Sequence, residues 1–116
     1  MAMTHICVYT AKLDESIKFY SEVVGLEIVN DLRGKTPFNI VFMANSPDET
    51  KVELIESANP TDVTQGIAFG YPVDDVKAKY EEVKAMGLNP EDIVPNGRFF
   101  FVSDPNGVKI QFMIRG

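Results

Sequence analysis

Cysteine occurs once in this chain of 116 residues, at Cys7, and histidine once, at His5. A lone thiol excludes an internal disulfide framework and fits a reducing compartment. It also excludes a paired-cysteine metal site. Positive charge is scarce: 11 lysines and arginines stand against 17 acidic residues, for a formal net charge of −6. The chain therefore lacks the electrostatic footprint of a protein that binds nucleic acid or an anionic membrane. Long hydrophobic runs are missing too. Phe99-Phe100-Phe101-Val102 is among the longest and falls far short of a membrane span, and the amino terminus has no basic segment followed by a long apolar one. The expectation is an unexported, cytoplasmic protein whose partners are small molecules or another protein chain. Neither a phosphate-cradling glycine loop nor a nucleophile elbow is present.

What is present is enough apolar sequence, 45% of residues, for the core of one ordinary domain, and a pattern that occurs twice. His5 to Thr10 is β-branched and aromatic and alternates as a half-buried strand does. Asp14-Glu15-Ser16 then suits a helix start, Ile17, Tyr20 and Val24 follow at helical spacing, and Gly25 supplies a left-handed stop. Leu26 to Val29, Phe38 to Met43 and Lys51 to Glu56 read as three further strands, separated by turn chemistry at Arg33-Gly34-Lys35 and Ser46-Pro47-Asp48-Glu49. After a connection at Asn59-Pro60-Thr61-Asp62 the order recurs about 60 residues later. Ile67 to Tyr71 is a strand, and Asp74-Asp75 opens a helix with Val76, Tyr80 and Val83 inward that ends at Gly87. A short strand at Ile93-Val94 is followed by the hairpin signal Asn96-Gly97, then Arg98 to Ser103, the turn Asp104-Pro105-Asn106-Gly107 and a last strand Val108 to Ile114. The expected fold class is α+β: one domain, 1–116, of two βαβββ modules, 1–58 and 63–116, forming an open cup-shaped mixed sheet.

Strand alternation assigns faces. Ile6 and Val8 go under the first helix, leaving His5, Cys7 and Tyr9 on the concave side. Val52 and Leu54 do the same and leave Glu53 and Ile55. On the last strand Val108, Ile110, Phe112 and Ile114 pack, leaving Lys109, Gln111 and Met113. Ile67 and Phe69 leave Gly66, Ala68 and Gly70, a row nearly bare of side chain. If Asp104 pairs with Gly107 across the turn, Arg98 and Phe100 share the face of Gln111. The mixed lining fits a small-molecule pocket of Cys7, Tyr9, Ile55, Gly66, Ala68, Arg98, Phe100 and Met113, or a space filled by a partner chain. Arg98 there is either a clamp for a ligand carboxylate or phosphate, or a solvated charge. Cys7 is either a soft metal donor or a small packed thiol.

His5-Ile6, Ser16-Ile17-Lys18-Phe19-Tyr20 with Val24-Gly25-Leu26, Val52-Glu53-Leu54, Gly66-Ile67-Ala68-Phe69 with Val73-Asp74-Asp75-Val76, and Asp104-Pro105-Asn106-Gly107-Val108-Lys109-Ile110 together span almost the whole chain. In these residues the chain resembles the vicinal oxygen chelate superfamily of glyoxalases, bleomycin-resistance proteins and dioxygenases, with the spacing of the short bacterial glyoxalase I group. The resemblance implies a divalent metal (zinc, nickel or manganese) held from the first and last strands of each module, here at His5, Glu53, Gly66 and Gln111. Gly66 has no donor, and the Gln111 amide coordinates weakly and takes no proton at neutral pH. The metal set reduces to His5, Glu53 and Gln111, with Glu53 as the catalytic base. The resemblance thus implies a divergent lactoylglutathione-lyase-type enzyme with a degenerate metal site. The alternatives are a metal-independent sequestering protein of the bleomycin-resistance type and a partner or sensor domain without a ligand. A homodimer is expected, because related small chains complete their cups across a two-fold axis.

Overall fold

The computed structural model describes residues 2–58 and 66–115; the connection expected at 59–62 lies outside them. The chain divides into two compact units, Met1–Thr64 and Gln65–Gly116. Each is a small mixed sheet with one helix against it, so the α+β expectation holds.

Unit 1 opens with β1 (His5–Thr10) and α1 (Leu13–Phe19), continued by a wider π-helical stretch, Tyr20–Val24. Here the structure departs from a simple three-turn α-helix: the Gly25 N–H closes back on the Tyr20 carbonyl, and Gly25 takes φ 87°, a left-handed turn that glycine adopts without strain. Strands β2 (Glu27–Asp31), β3 (Ile40–Ala44) and β4 (Lys51–Glu56) complete the unit in the order β1-β4-β3-β2. β1 and β4 are parallel, while β3 is antiparallel to both of its neighbours. Helix α1 lies against β4. Val8, Leu13, Phe19, Tyr20, Val23, Val52 and Leu54 are buried. Thr10 and Ser16 are buried with them and satisfy one another, their hydroxyls 3.1 Å apart, while Ser16 Oγ donates to the Lys12 carbonyl at 2.8 Å. Hydrogen-bonding each other lets two polar groups sit in an apolar layer.

Unit 2 carries β5 (Ala68–Val73), α2 (Val76–Ala85), β6 (Phe99–Ser103) and β7 (Lys109–Ile114), with strand order β5-β7-β6. Asp75 caps α2, accepting the Ala78 N–H at 3.0 Å, as helix-start aspartates do. The short strand expected at Ile93-Val94 does not form. The segment still runs beside β6, where the Glu91 and Val94 N–H groups donate to the Phe101 and Phe99 carbonyls at 2.8 and 3.1 Å. Pro90 and Pro95 flank it and bring no N–H of their own. Two residues expected to pack do not: Ile67 precedes β5 and is 51% exposed, and Ile114 at the end of β7 is 40% exposed. Among the described residues no helix is long and apolar enough to cross a membrane.

The turn between β6 and β7 sets a register one residue away from the expected one. Asp104 pairs with Val108 rather than Gly107: its N–H donates to the Val108 carbonyl at 2.8 Å, and Gly107 takes φ 85° in a three-residue loop. The buried Asp104 carboxylate fixes this loop by accepting the Asn106 and Val108 N–H groups, both at 2.8 Å. A one-residue slip turns every side chain of a strand to the other face. Phe101 is therefore the residue opposite Gln111, and Phe100 lies opposite Phe112.

Candidate functional site

Parallel pairing of β1 with β4 places Cys7 opposite Glu53 and His5 two residues earlier on the same face. That face lies away from α1, because Val8 and Leu54 alternate into the core beneath the helix. Cys7 Sγ donates to Glu53 Oε1 at 2.8 Å, and His5 Nε2 lies 3.3 Å from the same oxygen. Glu53 is 8% exposed, so one carboxylate largely withdrawn from solvent holds an imidazole and a thiol together. Thr4 Oγ1 stands 2.9 Å from His5 Nδ1, and Phe42, paired with Glu53 on β3, meets the imidazole edge-on at 5.6 Å. These two contacts orient the ring with Nε2 toward the carboxylate.

The carboxylate changes the thiol. Its hydrogen bond, then desolvation, then its negative charge hold the Cys7 proton, and the pKa rises from the usual 9.0 to about 11. In this state Cys7 is a poor nucleophile. The donor atoms of His5, Cys7 and Glu53 all lie within 4.8 Å of one another. Around a tetrahedral zinc the corresponding donor separations are about 3.3–3.6 Å. By donor chemistry and closeness, the nitrogen, sulfur and oxygen set is one that could hold the divalent metal that the sequence resemblance implies, with small side-chain adjustments to reach those separations.

Beside this cluster, still within unit 1, Tyr9 and Ile55 line an open groove of ≈ 800 Å³ with Ala11, Pro37, Phe38 and Ile40. Tyr9 and Phe38 are 49% and 62% exposed there. The contributions of Phe38 and Phe42 escaped the sequence reading. Alternation along β3 from the 38–43 strand carried the signal, since it puts Ile40 and Phe42 on one face.

In unit 2 the expected site residues separate. Gln111 is half-buried on β7, Met113 follows on the same face, and Ala68 and Gly70 face them from β5, with Gly70 opposite Gln111. Phe100 is not a pocket residue. It is fully buried, edge-on to Tyr80 at 5.4 Å and tilted against Phe112 at 5.6 Å. Arg98, whose carbonyl accepts from the Ile114 N–H, precedes β6 on the Phe100 side by alternation and is exposed, away from the face of Gln111. Both corrections follow from the β6–β7 register. A third concerns the internal repeat. Cys7 pairs with Glu53 and Gly70 with Gln111, so the residue two before Gly70, namely Ala68, is the counterpart of His5. Gly66 precedes β5 with φ 77° and is not that counterpart.

The family model described as Glyoxalase/Bleomycin resistance protein/Dioxygenase superfamily matches residues 2–112. The chain belongs to this superfamily. It is 31% identical over 120 residues to a probable lactoylglutathione lyase of Vibrio parahaemolyticus, covering 94% of this chain and 87% of that protein. It is 30% identical over 124 residues to the lactoylglutathione lyase of Haemophilus influenzae, covering 97% and 92%. Among solved structures, the trypanothione-dependent glyoxalase I of Leishmania major aligns with a TM-score of 0.85 at 24% identity, over 98% of this chain and 86% of that one. This likeness carries the fold. Where the first unit carries the imidazole of His5 and the carboxylate of Glu53, the second carries the methyl group of Ala68 and the amide of Gln111 at the matching strand positions.

Proposed function

We propose that this protein is a divergent lactoylglutathione-lyase-type enzyme that acts on a small carbonyl-containing molecule. The observation that carries the reading is Glu53: a carboxylate 8% exposed, 3.3 Å from His5 Nε2, in a chain 31% identical to a probable lactoylglutathione lyase. In the reaction such a site performs, a base moves a proton between adjacent carbons of an α-hydroxycarbonyl. Glu53 takes that proton and returns it to the neighbouring carbon. His5, held by Thr4 and Phe42, keeps the carboxylate oriented. The open groove of Tyr9, Phe38 and Ile55 receives the apolar part of the substrate. His5 and Glu53 are the proposed metal donors, both within unit 1. A divalent metal held by these residues would supply Lewis acidity.

Loss of the second-module donors points to slow turnover. With the hemithioacetal of methylglyoxal and glutathione, the expected rate lies well below the roughly 10 s⁻¹ of ordinary enzymes, and Glu53→Gln abolishes it. Activity unaffected by Glu53→Gln refutes Glu53 as the base, absence of any turnover refutes the enzyme reading, and turnover in the ordinary range refutes the degeneracy of the site. The second reading, a sequestering protein of the bleomycin-resistance type, is favoured by the apolar groove and by Gln111, which cannot act as a base. Tight binding of an aromatic ligand that survives both EDTA and Glu53→Gln selects it. We infer a cytoplasmic homodimer, to be checked by light scattering.

A further inference from the structure

We propose that Cys7 is itself a metal ligand, and that His5, Cys7 and Glu53 form a mixed nitrogen–sulfur–oxygen centre selective for thiophilic divalent ions over manganese and magnesium. This rests on the reading of His5 and Glu53 as metal donors, and it changes what kind of metal they hold. Sulfur and imidazole nitrogen lie beside one carboxylate oxygen, at 2.8 and 3.3 Å from it, with all donor atoms within 4.8 Å. Three protein donors are what an open zinc-class site uses, with the fourth place left for substrate or water. The three come from one unit, on two hydrogen-bonded strands whose register fixes their separation. The matching places in unit 2, Ala68 and Gly70, offer no side-chain donor. A thiolate shifts preference decisively, because soft sulfur favours zinc, cobalt and cadmium whereas manganese and magnesium seek oxygen. On binding, the S–H bond breaks, its proton leaves to solvent and the sulfur binds the cation, so thiolate and carboxylate together balance its two charges.

The test is cobalt and cadmium titration of the full chain after EDTA treatment. Its readout is thiolate-to-metal charge-transfer absorption in the ultraviolet. Cys7 is the only cysteine, so any such band reports this sulfur. The expected result is a band saturating at one equivalent, absent in Cys7→Ser and Cys7→Ala, bleached by zinc and unaffected by excess manganese or magnesium. Zinc affinity should fall by more than about 100-fold in both variants, beyond the roughly 10–100-fold that loss of an outer-sphere partner causes. Should the variants fail to fold by circular dichroism, the band in the parent protein decides alone. Cobalt binding without the charge-transfer band overturns the role of Cys7 and leaves the His5 and Glu53 reading standing. No cobalt uptake by the parent overturns both.

Discussion

Replacing Glu53 by glutamine should make Cys7 more reactive, although it removes a candidate catalytic group. In the folded chain the carboxylate is the first and third cause of the raised thiol pKa, as hydrogen-bond acceptor and as negative charge, with desolvation between them. The uncharged amide removes the charge and accepts more weakly, so the pKa should fall from about 11 toward 9.0. At pH 8 that change raises the thiolate fraction about 100-fold, since each pH unit below the pKa lowers the fraction tenfold. A less basic thiolate is also a weaker nucleophile. With a Brønsted coefficient of about 0.4–0.5, the loss over two units is roughly eightfold. The net increase in alkylation rate is then on the order of tenfold. The assay is second-order iodoacetamide labelling in EDTA, followed by intact mass, and the single cysteine makes each adduct unambiguous. The pH profile adds an independent check: the parent rate should climb to about pH 11 and that of Glu53→Gln should level near 9.0. Equal rates and profiles for the two proteins would refute the coupling. By the same linkage, a thiol pKa higher in the folded than in the unfolded chain means that the pair stabilises the fold below pH 9.0, and that this contribution disappears as pH rises through about 11.

Faces were legible in the sequence wherever apolar and polar residues alternate in one strand. Ile6 and Val8 against His5, Cys7 and Tyr9, and Val52 and Leu54 against Glu53, settle β1 and β4 because exchanging the faces would bury charge and expose the core. On β6 the same logic has nothing to act on. Phe99, Phe100, Phe101 and Val102 are all apolar, so only the turn decides which of them meet Gln111, and a three-residue loop instead of a two-residue one reverses the answer. The second gap is at Gly66 and Ala68. Small residues at both positions leave the hydrophobic pattern silent. The helices give a better reference: His5 lies as far before Leu13, the first residue of α1, as Ala68 lies before Val76, the first of α2. The Cys7–Glu53 contact was hidden for another reason, since it depends on a parallel pairing between strands 46 residues apart, which no local pattern encodes.

Other consequences can be checked directly. Phe100→Ala should cost about 3–5 kcal/mol of stability in urea unfolding, because it empties a fully buried aromatic position between Tyr80 and Phe112; a cost under about 1 kcal/mol would return Phe100 to the pocket face. Asp31, hydrogen-bonded by Arg33 through both side chain and backbone, should titrate near 2, so its stabilising contribution is present above 3.8 and lost as pH falls through about 2. Arg33→Ala should move the carboxyl midpoint seen by NMR back toward 3.8, and an unmoved midpoint would show that the contact does not persist in solution. The last consequence separates the two candidate counterparts of His5. Ala68→His with Gln111→Glu adds an imidazole and a carboxylate in the strand relation that brings His5 within 3.3 Å of Glu53. At Ala68 a side chain stands on a regular strand, whereas at Gly66, with φ 77°, a non-glycine residue costs roughly 1–2 kcal/mol in strain. Nickel affinity should therefore rise clearly in Ala68→His/Gln111→Glu, which adds an imidazole and a carboxylate as a strand pair, and less in Gly66→His/Gln111→Glu, where the carboxylate is gained without an imidazole beside it. The reverse order in folded proteins would mean that the register relation between the two modules is not the one that governs metal binding.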